Sequence, residues 1–345
     1  MPVRNVERRR LARYRTAQVR AGEALMAQLD PLGRNAEGIG VGGYYKAPTA
    51  LALAGKPAAA QAMLDYVDRT FADSRGHFFR IRGDQDQAAG RECDLYEDLW
   101  LAWGALEAGR EGMGLRTLSL ADAFVDWSDG GVASCTGGAG DGSKDLRSTA
   151  ISGFVSLRYG RTRNSLANAK FLVKHLELQD NPEKQFFLVR TASGDLSTDY
   201  PADRERYFVL KPDQERPLYY ALGLPIAFLA SLYTETSDTA YLKAAEGYAE
   251  VYLSLGEPAI LHDYSGKLAL GLALLYEQTD SRRYLDALFT VLDYLCDFQD
   301  ETGLWTAPPS LSGSGSWNRE TQLDRTAEYC TWLALITQRL KGKFL

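Results

Sequence analysis

Residues 262–305 read HDYSGKLALGLALLYEQT (262–279), DSRR (280–283), YLDALFTVLDYLCDFQ (284–299) and DETGLW (300–305). After its polar opening the first segment is almost entirely small and apolar, the composition of a helix buried on most of its sides. The second segment puts Leu285, Leu288, Leu292 and Leu295 at helical spacing, with Asp286, Asp293 and Asp297 off that stripe. That is an outer helix lying on an inner one. The Gly-aromatic turn ends the pair and returns the chain to the next inner helix. One buried helix, one half-exposed partner and one return form a hairpin unit.

The same unit recurs. A first amphipathic helix is expected from about Val6 to Leu29. Inner helices are then expected in YYKAPTALALAG (44–55), CDLYEDLWLAWGALEAG (93–109), DLRSTAISGFVSLRYG (145–160), PLYYALGLPIAFLASLYTET (217–236), 262–279 and DRTAEYCTWLALITQRL (324–340). Outer partners fall in 58–71, 113–127, 165–179, 241–255 and 284–299, with a partly extended insertion at 185–210. The closest internal match sets SLYTETSDTAYLKAAEGYAEVYLSLG against LLYEQTDSRRYLDALFTVLDYLCDFQ. Both carry Leu-Tyr-x-x-Thr at the helix end and Tyr-Leu at the next helix start. A loose period of about 45 to 60 residues is the signature of stacked helical hairpins. Pro and Gly fall between the segments, where they interrupt helices at least cost.

Twelve helices alternating inner and outer either stack openly or close on themselves. Inner helices this apolar are poorly suited to face water, which favours closure. In this pattern, of which LALGLALLYEQTDSRRYLDAL is typical, the chain resembles the (α/α)6 toroid proteins: six-hairpin glycosidase-like enzymes, sugar epimerases and the terpenoid-cyclase-like group. The resemblance covers nearly the whole chain and implies an all-α (α/α)6 barrel in one domain, residues 1–345, with short β returns. It also implies a pocket where the inner helices begin. One fold hosts many chemistries, so it does not choose a reaction.

Composition narrows the classes further. The chain has 345 residues, 45% of them hydrophobic, and a net charge of −6, which argues against a nucleic-acid or anionic-membrane surface. No run approaches the ~20 apolar residues of a membrane span. The N-terminus MPVRNVERRRLARYR has no apolar core of a secretory signal, and the four cysteines are widely spaced. These features lead to the expectation of a cytoplasmic protein with reduced thiols. No GxGxxG follows a strand, and there is no Walker loop or GxSxG elbow, so no cofactor is expected. Cys330, Glu328 and His262 could imitate a zinc-binding set. The paired-Cys and Cys-His-Gly motifs of zinc-dependent toroid enzymes are absent, and no metal is expected.

The starts of the inner helices concentrate groups that helix capping does not explain. DLYED places Asp94 and Asp98 at i and i+4 with Glu97 between them, so two carboxylates can share a helix face and split their pKa values. HDYSGK joins His262 to Asp263 and, one turn on, to Lys267, and a histidine there can transfer protons near neutral pH. His262, Asp94, Asp98 and Asp263 are therefore the expected catalytic residues. Tyr44, Tyr45, Lys46, Glu97, Arg147, Tyr219, Tyr220, Lys267, Asp324, Glu328 and Trp305 are the expected substrate-binding set. For Asp145 and Asp263 capping remains an equal reading. The expected function is acid–base catalysis by an isomerase, epimerase, lyase or cyclase on a small metabolite, with Lys46, Arg147 and Lys267 holding any anionic group. The alternatives are a glycoside or unsaturated-glycoside hydrolase, which needs two opposed carboxylates, and a non-catalytic helical-repeat module.

Overall fold

The computed structural model describes residues 2–35, 39–78, 95–134, 142–212, 214, 217–308 and 317–344. Six inner helices are α2 (Ala47–Leu53), α4 (Tyr96–Glu107), α6 (Leu146–Arg158), α8 (Tyr220–Thr236), α10 (Gly266–Thr279) and α12 (Arg319–Phe344). Six outer helices are α1 (Pro2–Ala27), α3 (Pro57–Phe71), α5 (Glu111–Asp122), α7 (Thr162–Glu177), α9 (Thr239–Ser254) and α11 (Arg282–Cys296). Each inner helix packs on the next, and α12 packs on α2. The ring is therefore closed, an (α/α)6 barrel. Each outer helix lies on the inner helix before it, except α1, which covers α12 and so joins the two ends of the chain. Closure removes the exposed end faces that an open helical-repeat module would present.

The residues dictate these roles. Every residue of α10 from Gly266 to Leu275 is buried, as is every residue of α4 from Tyr96 to Ala105. In α11, by contrast, Leu285, Leu288, Leu292 and Leu295 are buried, whereas Asp286 and Asp297 are exposed. Burying each of those leucines stabilises the fold by about 1.5–3 kcal/mol.

The internal repeat also has a common ending. Ser237 (φ 58°) and Asp280 (φ 51°) are left-handed, and their N–H groups return to Tyr233 O at 2.8 Å and Tyr276 O at 2.9 Å. The tyrosine of each Leu-Tyr-x-x-Thr thus supplies the carbonyl that closes its helix. Among the described residues these are the two non-glycine positions with positive φ.

Short returns lead from outer to inner helices, pinned by single antiparallel bridges at Ala72–Phe78, Val125–Val132 and Gln299–Trp305. The 185–210 insertion is more elaborate. Its strands β2 (Phe186–Phe187) and β4 (Val209–Leu210) pair antiparallel, and β3 (Val189–Arg190) pairs with β1 (Lys144–Asp145), directly ahead of α6. Two further one-turn helices, Glu205–Phe208 and Glu257–Ile260, break the regular alternation.

Inside the ring, Trp100 and Trp103 from α4 meet Trp332 from α12, with centroids 4.9–5.7 Å apart, and Phe154 of α6 lies 5.2 Å from Trp103. These rings fill the barrel below the inner-helix starts.

Candidate functional site

The chemistry collects above that tryptophan layer, where the inner helices begin. Glu328, in the third turn of α12, is completely buried. Its carboxylate accepts hydrogen bonds from Lys46, which precedes α2, and from Lys267 in the first turn of α10. Arg325 Nη1 lies 3.3 Å from Oε2, and Trp332 Nε1 donates to Oε1 at 3.3 Å. Lys46 also meets Asp324 at 2.8 Å, and Arg325 Nε meets Asp263 Oδ2 at 3.1 Å. Three cations and three carboxylates from three segments thus interlock.

Burial alone would raise the Glu328 pKa, but Lys267, Lys46 and Arg325 together hold it far below the usual carboxylate range. Lys267 moves down as well, to about 8, because burial and the charges of Lys46 and Arg325 outweigh its bond to Glu328. The two shifts look contradictory for one ion pair. They agree once Glu328 is seen to serve several cations, which leaves Lys267 as the surplus charge. Burial opposes ionisation of Asp263 too, yet Arg325 and then His262 bring its pKa below the ordinary value.

Packing fixes the placement of Lys267. A Cβ on Gly223 of α8 would come within 2.7 Å of Lys267 Cβ and 2.8 Å of Leu268 N. Glycine there lets α8 and α10 approach closely enough to seat the ammonium beside Glu328.

His262 stands at the accessible edge of this network, with its side chain 16% exposed. Its Nδ1 lies 3.1 Å from Tyr264 N and 2.8 Å from Asp263 Oδ1. The other two histidines are buried in structural roles. His77 bonds Asp98 at 2.6 Å, and His175 Nε2 bonds Phe187 O at 2.7 Å. Burial lowers the His175 pKa to about 4.

Four tyrosines wall the site, and each carries a cation over its ring. Lys46 lies 4.9 Å from the Tyr45 centroid, Arg147 5.3 Å from Tyr96, Lys267 5.0 Å from Tyr220, and Arg325 4.6 Å from Tyr264. The rings themselves run on from Tyr45 to Tyr96, Tyr220 and Tyr264 at 5.1–6.2 Å. Burial drives the hydroxyl pKa values of Tyr45 and Tyr96 well above 10, and that of Tyr264 to about 12. At neutral pH these groups act as hydrogen-bond donors.

The structure therefore gathers His262, Asp263, Lys267, Lys46, Asp324, Glu328, Tyr45, Tyr220 and Arg147 at one end of the barrel. Glu97 is buried nearby, where its charge acts on Tyr45, and Tyr219 packs edge-on against His262 at 5.2 Å. Other expected members lie elsewhere. Asp98 takes the His77 ring at 2.6 Å and the Phe78 N–H at 3.0 Å and so anchors the preceding return. Tyr44 turns outward to Tyr66 and Phe71, and its hydroxyl accepts the Asn35 N–H at 2.9 Å. Trp305 is fully buried, and its Nε1 donates to Leu295 O at 2.7 Å, which makes it packing rather than substrate wall. Asp145 caps α6 by accepting from Ser148 N at 2.5 Å, whereas Asp263 is an ion-pair partner and not a cap. Asp94 lies outside the described residues.

Cys330 points its thiol toward Gln18 O and Ala50 O, and burial raises its pKa to about 12. Among the described residues no three His, Cys, Asp or Glu side chains gather as metal ligands. No described helix is long and apolar enough to cross a membrane.

A cleft of about 550 Å³ opens at the opposite end of the barrel, between the C-terminal parts of α6, α8, α10 and α12. Its arginines are already held, Arg158 by Glu107 and Arg339 by Glu277 at 2.9 Å, and no histidine lines it. The candidate site is therefore assigned to the end bearing the buried ion network.

Fold and site together define a closed (α/α)6 toroid with a polar, tyrosine-walled site at the inner-helix N-terminal end. No family model matches the chain, and no curated protein matches it. Solved structures do share its fold. An α-mannanase from Bacteroides thetaiotaomicron superposes with a TM-score of 0.64 at 13% identity, covering 95% of this chain and 97% of that one. A D-mannose isomerase gives 0.64 at 12% identity, with 91% and 96% covered. A type II terpene cyclase from Scytonema gives 0.58 at 13% identity, with 96% and 99% covered.

Proposed function

We propose that this protein is an enzyme that transfers protons on a small polyhydroxylated molecule, as an isomerase or epimerase. The observation that carries this reading is the His262–Asp263–Arg325 series at the accessible edge of the site. In this reading His262 presents Nε2 as the proton-accepting atom, Asp263 accepts from Nδ1 and orients the ring, and Arg325 holds Asp263 ionised. Such a group exchanges protons at a carbon beside a carbonyl, while tyrosine hydroxyls and the Lys267 ammonium stabilise the developing oxyanion.

The same geometry weighs against cyclisation through a carbocation. Every tyrosine of the wall already faces a fixed cation, so its ring is a poor partner for a second positive charge. It also weighs against Asp98, Asp263, Asp324 and Glu328 as a glycosidase pair, since His77 holds the first and a neighbouring cation holds each of the others. The isomerase among the structural neighbours is consistent with the proposal, and the mannanase shares the carbohydrate substrate class.

The test is solvent exchange. Aldoses and ketoses, D-mannose first, are incubated with the protein in D₂O and followed by NMR for deuterium beside the carbonyl. Exchange is expected with the wild type, and His262→Ala should slow it by about 10²-fold or more. Full exchange in His262→Ala would remove the proposal.

A further inference from the structure

A second cavity lies away from the inner-helix starts. It measures about 580 Å³ and opens between α1, the C-terminal end of α2 and the C-terminal half of α12. We infer that this cavity is a ligand site for a small amphiphilic carboxylate, an anion with a short apolar body. The inference is independent of the reading of the barrel mouth.

The fold itself makes the cavity. α2 has 7 residues and ends at Leu53, whereas α4 has 12. A helix rises about 1.5 Å per residue, so α2 stops well short of the barrel end opposite the candidate site. The groove between α1 and α12 lies open where it stops. Leu11, Arg15 and Gln18 stand at i, i+4 and i+7 on the α1 wall, and Ala334 and Lys341 stand at i and i+7 on the α12 wall. The volume falls within the roughly 300–1,000 Å³ of small-molecule sites.

Two independent observations point to a ligand. The first is Gln18, which is only 8% exposed and lines the cavity. Its backbone carbonyl takes the Cys330 thiol, but its side-chain amide has no hydrogen-bond partner among the described residues. A buried amide without a partner is costly, and a ligand oxygen would accept from its N–H groups.

The second is charge. Arg15 and Lys341 both line the cavity, and neither meets a carboxylate among the described residues. No Asp or Glu is found among the described lining residues. Neighbouring cations are spent elsewhere: Arg10 and Arg13 pair with Asp293 and Asp297 at the end of α11, and Lys343 pairs with Asp280. In a chain of net charge −6, two unpaired cations on one cavity make it locally positive. Lys341 alone would suit the C-terminal dipole of α12, but Arg15 lies in the middle of its own helix.

The lining selects the ligand. The Arg15 fork suits both oxygens of a carboxylate, Lys341 adds a point charge, and Gln18 donates beside them. Leu11, Leu53 and Ala334 receive the apolar body. A wholly polar anion would leave those three uncovered, and a neutral alcohol would use neither charge.

The experiment is calorimetric titration of the full chain with octanoate, butanoate and octanol. The wild type should bind a single octanoate about tenfold or more tighter than either of the others. Arg15 and Lys341 are exposed, so the double variant Arg15→Gln with Lys341→Gln keeps the fold while losing the preference of octanoate over octanol. Gln18→Leu should weaken octanoate by about threefold or more and leave octanol unchanged. Leu53→Trp, which fills the apolar floor, should remove binding of both. No binding of octanoate, equal binding of octanoate and octanol, or octanoate binding that the double variant or Leu53→Trp leaves unchanged would each overturn the inference.

Discussion

Replacing Glu328 by glutamine keeps the shape of the side chain and removes the one charge that Lys46, Lys267 and Arg325 share. Breaking a buried ion pair in this way typically costs about 3–5 kcal/mol. The structure supplies an independent ceiling. Lys46 retains Asp324, and Arg325 retains Asp263, so the unpaired group is Lys267. Its escape is to lose a proton. From the ordinary lysine value of 10.5 this costs 3.5 pKa units at pH 7, or about 5 kcal/mol at ~1.36 kcal/mol per unit. At pH 9 the same step costs only 1.5 units, about 2 kcal/mol.

Glu328→Gln should therefore be destabilised by about 3–5 kcal/mol at pH 7 and by clearly less at pH 9. Urea unfolding at both pH values, followed by circular dichroism, measures this. The sign follows from linkage. Between pH 7 and pH 8 the wild-type Lys267 keeps its proton, as the unfolded chain does, whereas the folded variant gives it up, and stability rises with pH wherever the unfolded state holds more protons. The double variant Glu328→Leu with Lys267→Met should regain much of the loss, because neither charge is then left alone. A loss below 1 kcal/mol, or one equally large at pH 7 and pH 9, would refute the account of Lys267 as the surplus cation.

Two further expectations concern residues whose roles changed between sequence and structure. Burial lowers the His77 pKa, but the bond and charge of Asp98 prevail and the net shift is upward. Its contribution is thus fully present below about 6.5 and is lost as pH rises through the folded value. His77→Gln should accordingly lose more stability at pH 5.5 than at pH 9, and equal losses in thermal melts would contradict the pairing. Trp305→Ala should cost about 3–5 kcal/mol by emptying a core position, yet leave calorimetric binding of any ligand unchanged. Weakened binding with intact stability would return Trp305 to the substrate wall.

The hairpin architecture was legible because it depends on local periodicity. The leucine stripe of residues 285–295, the small apolar run of α10 and the Leu-Tyr-x-x-Thr helix ends each report their own surroundings. The clustering at inner-helix starts was legible for the same reason, since parallel inner helices must bring their starts together. Individual roles were not. Asp98 and Glu97 are adjacent in sequence and on the same helix start, yet Asp98 faces the return that carries His77 while Glu97 acts on Tyr45. A rotation of about 100° per residue sends neighbours to different partners. Trp305 stood in the expected substrate-binding set, but the bridge to Gln299 turns its ring into the core. The 185–210 insertion has no helical period, because it is held by strand pairing within itself and with β1.

By itself the sequence determined that inner and outer helices alternate and which end of the barrel would hold the polar groups. Those properties follow from apolar spacing, caps and turns, which act over a few residues. Only the tertiary structure decided that Glu328 binds Lys46 from 282 residues away and Lys267 from 61 away, and that His262 alone of the three histidines reaches the accessible edge. Charge pairing and burial depend on what arrives through space, and closure of the ring brings α12 against α2 and α10.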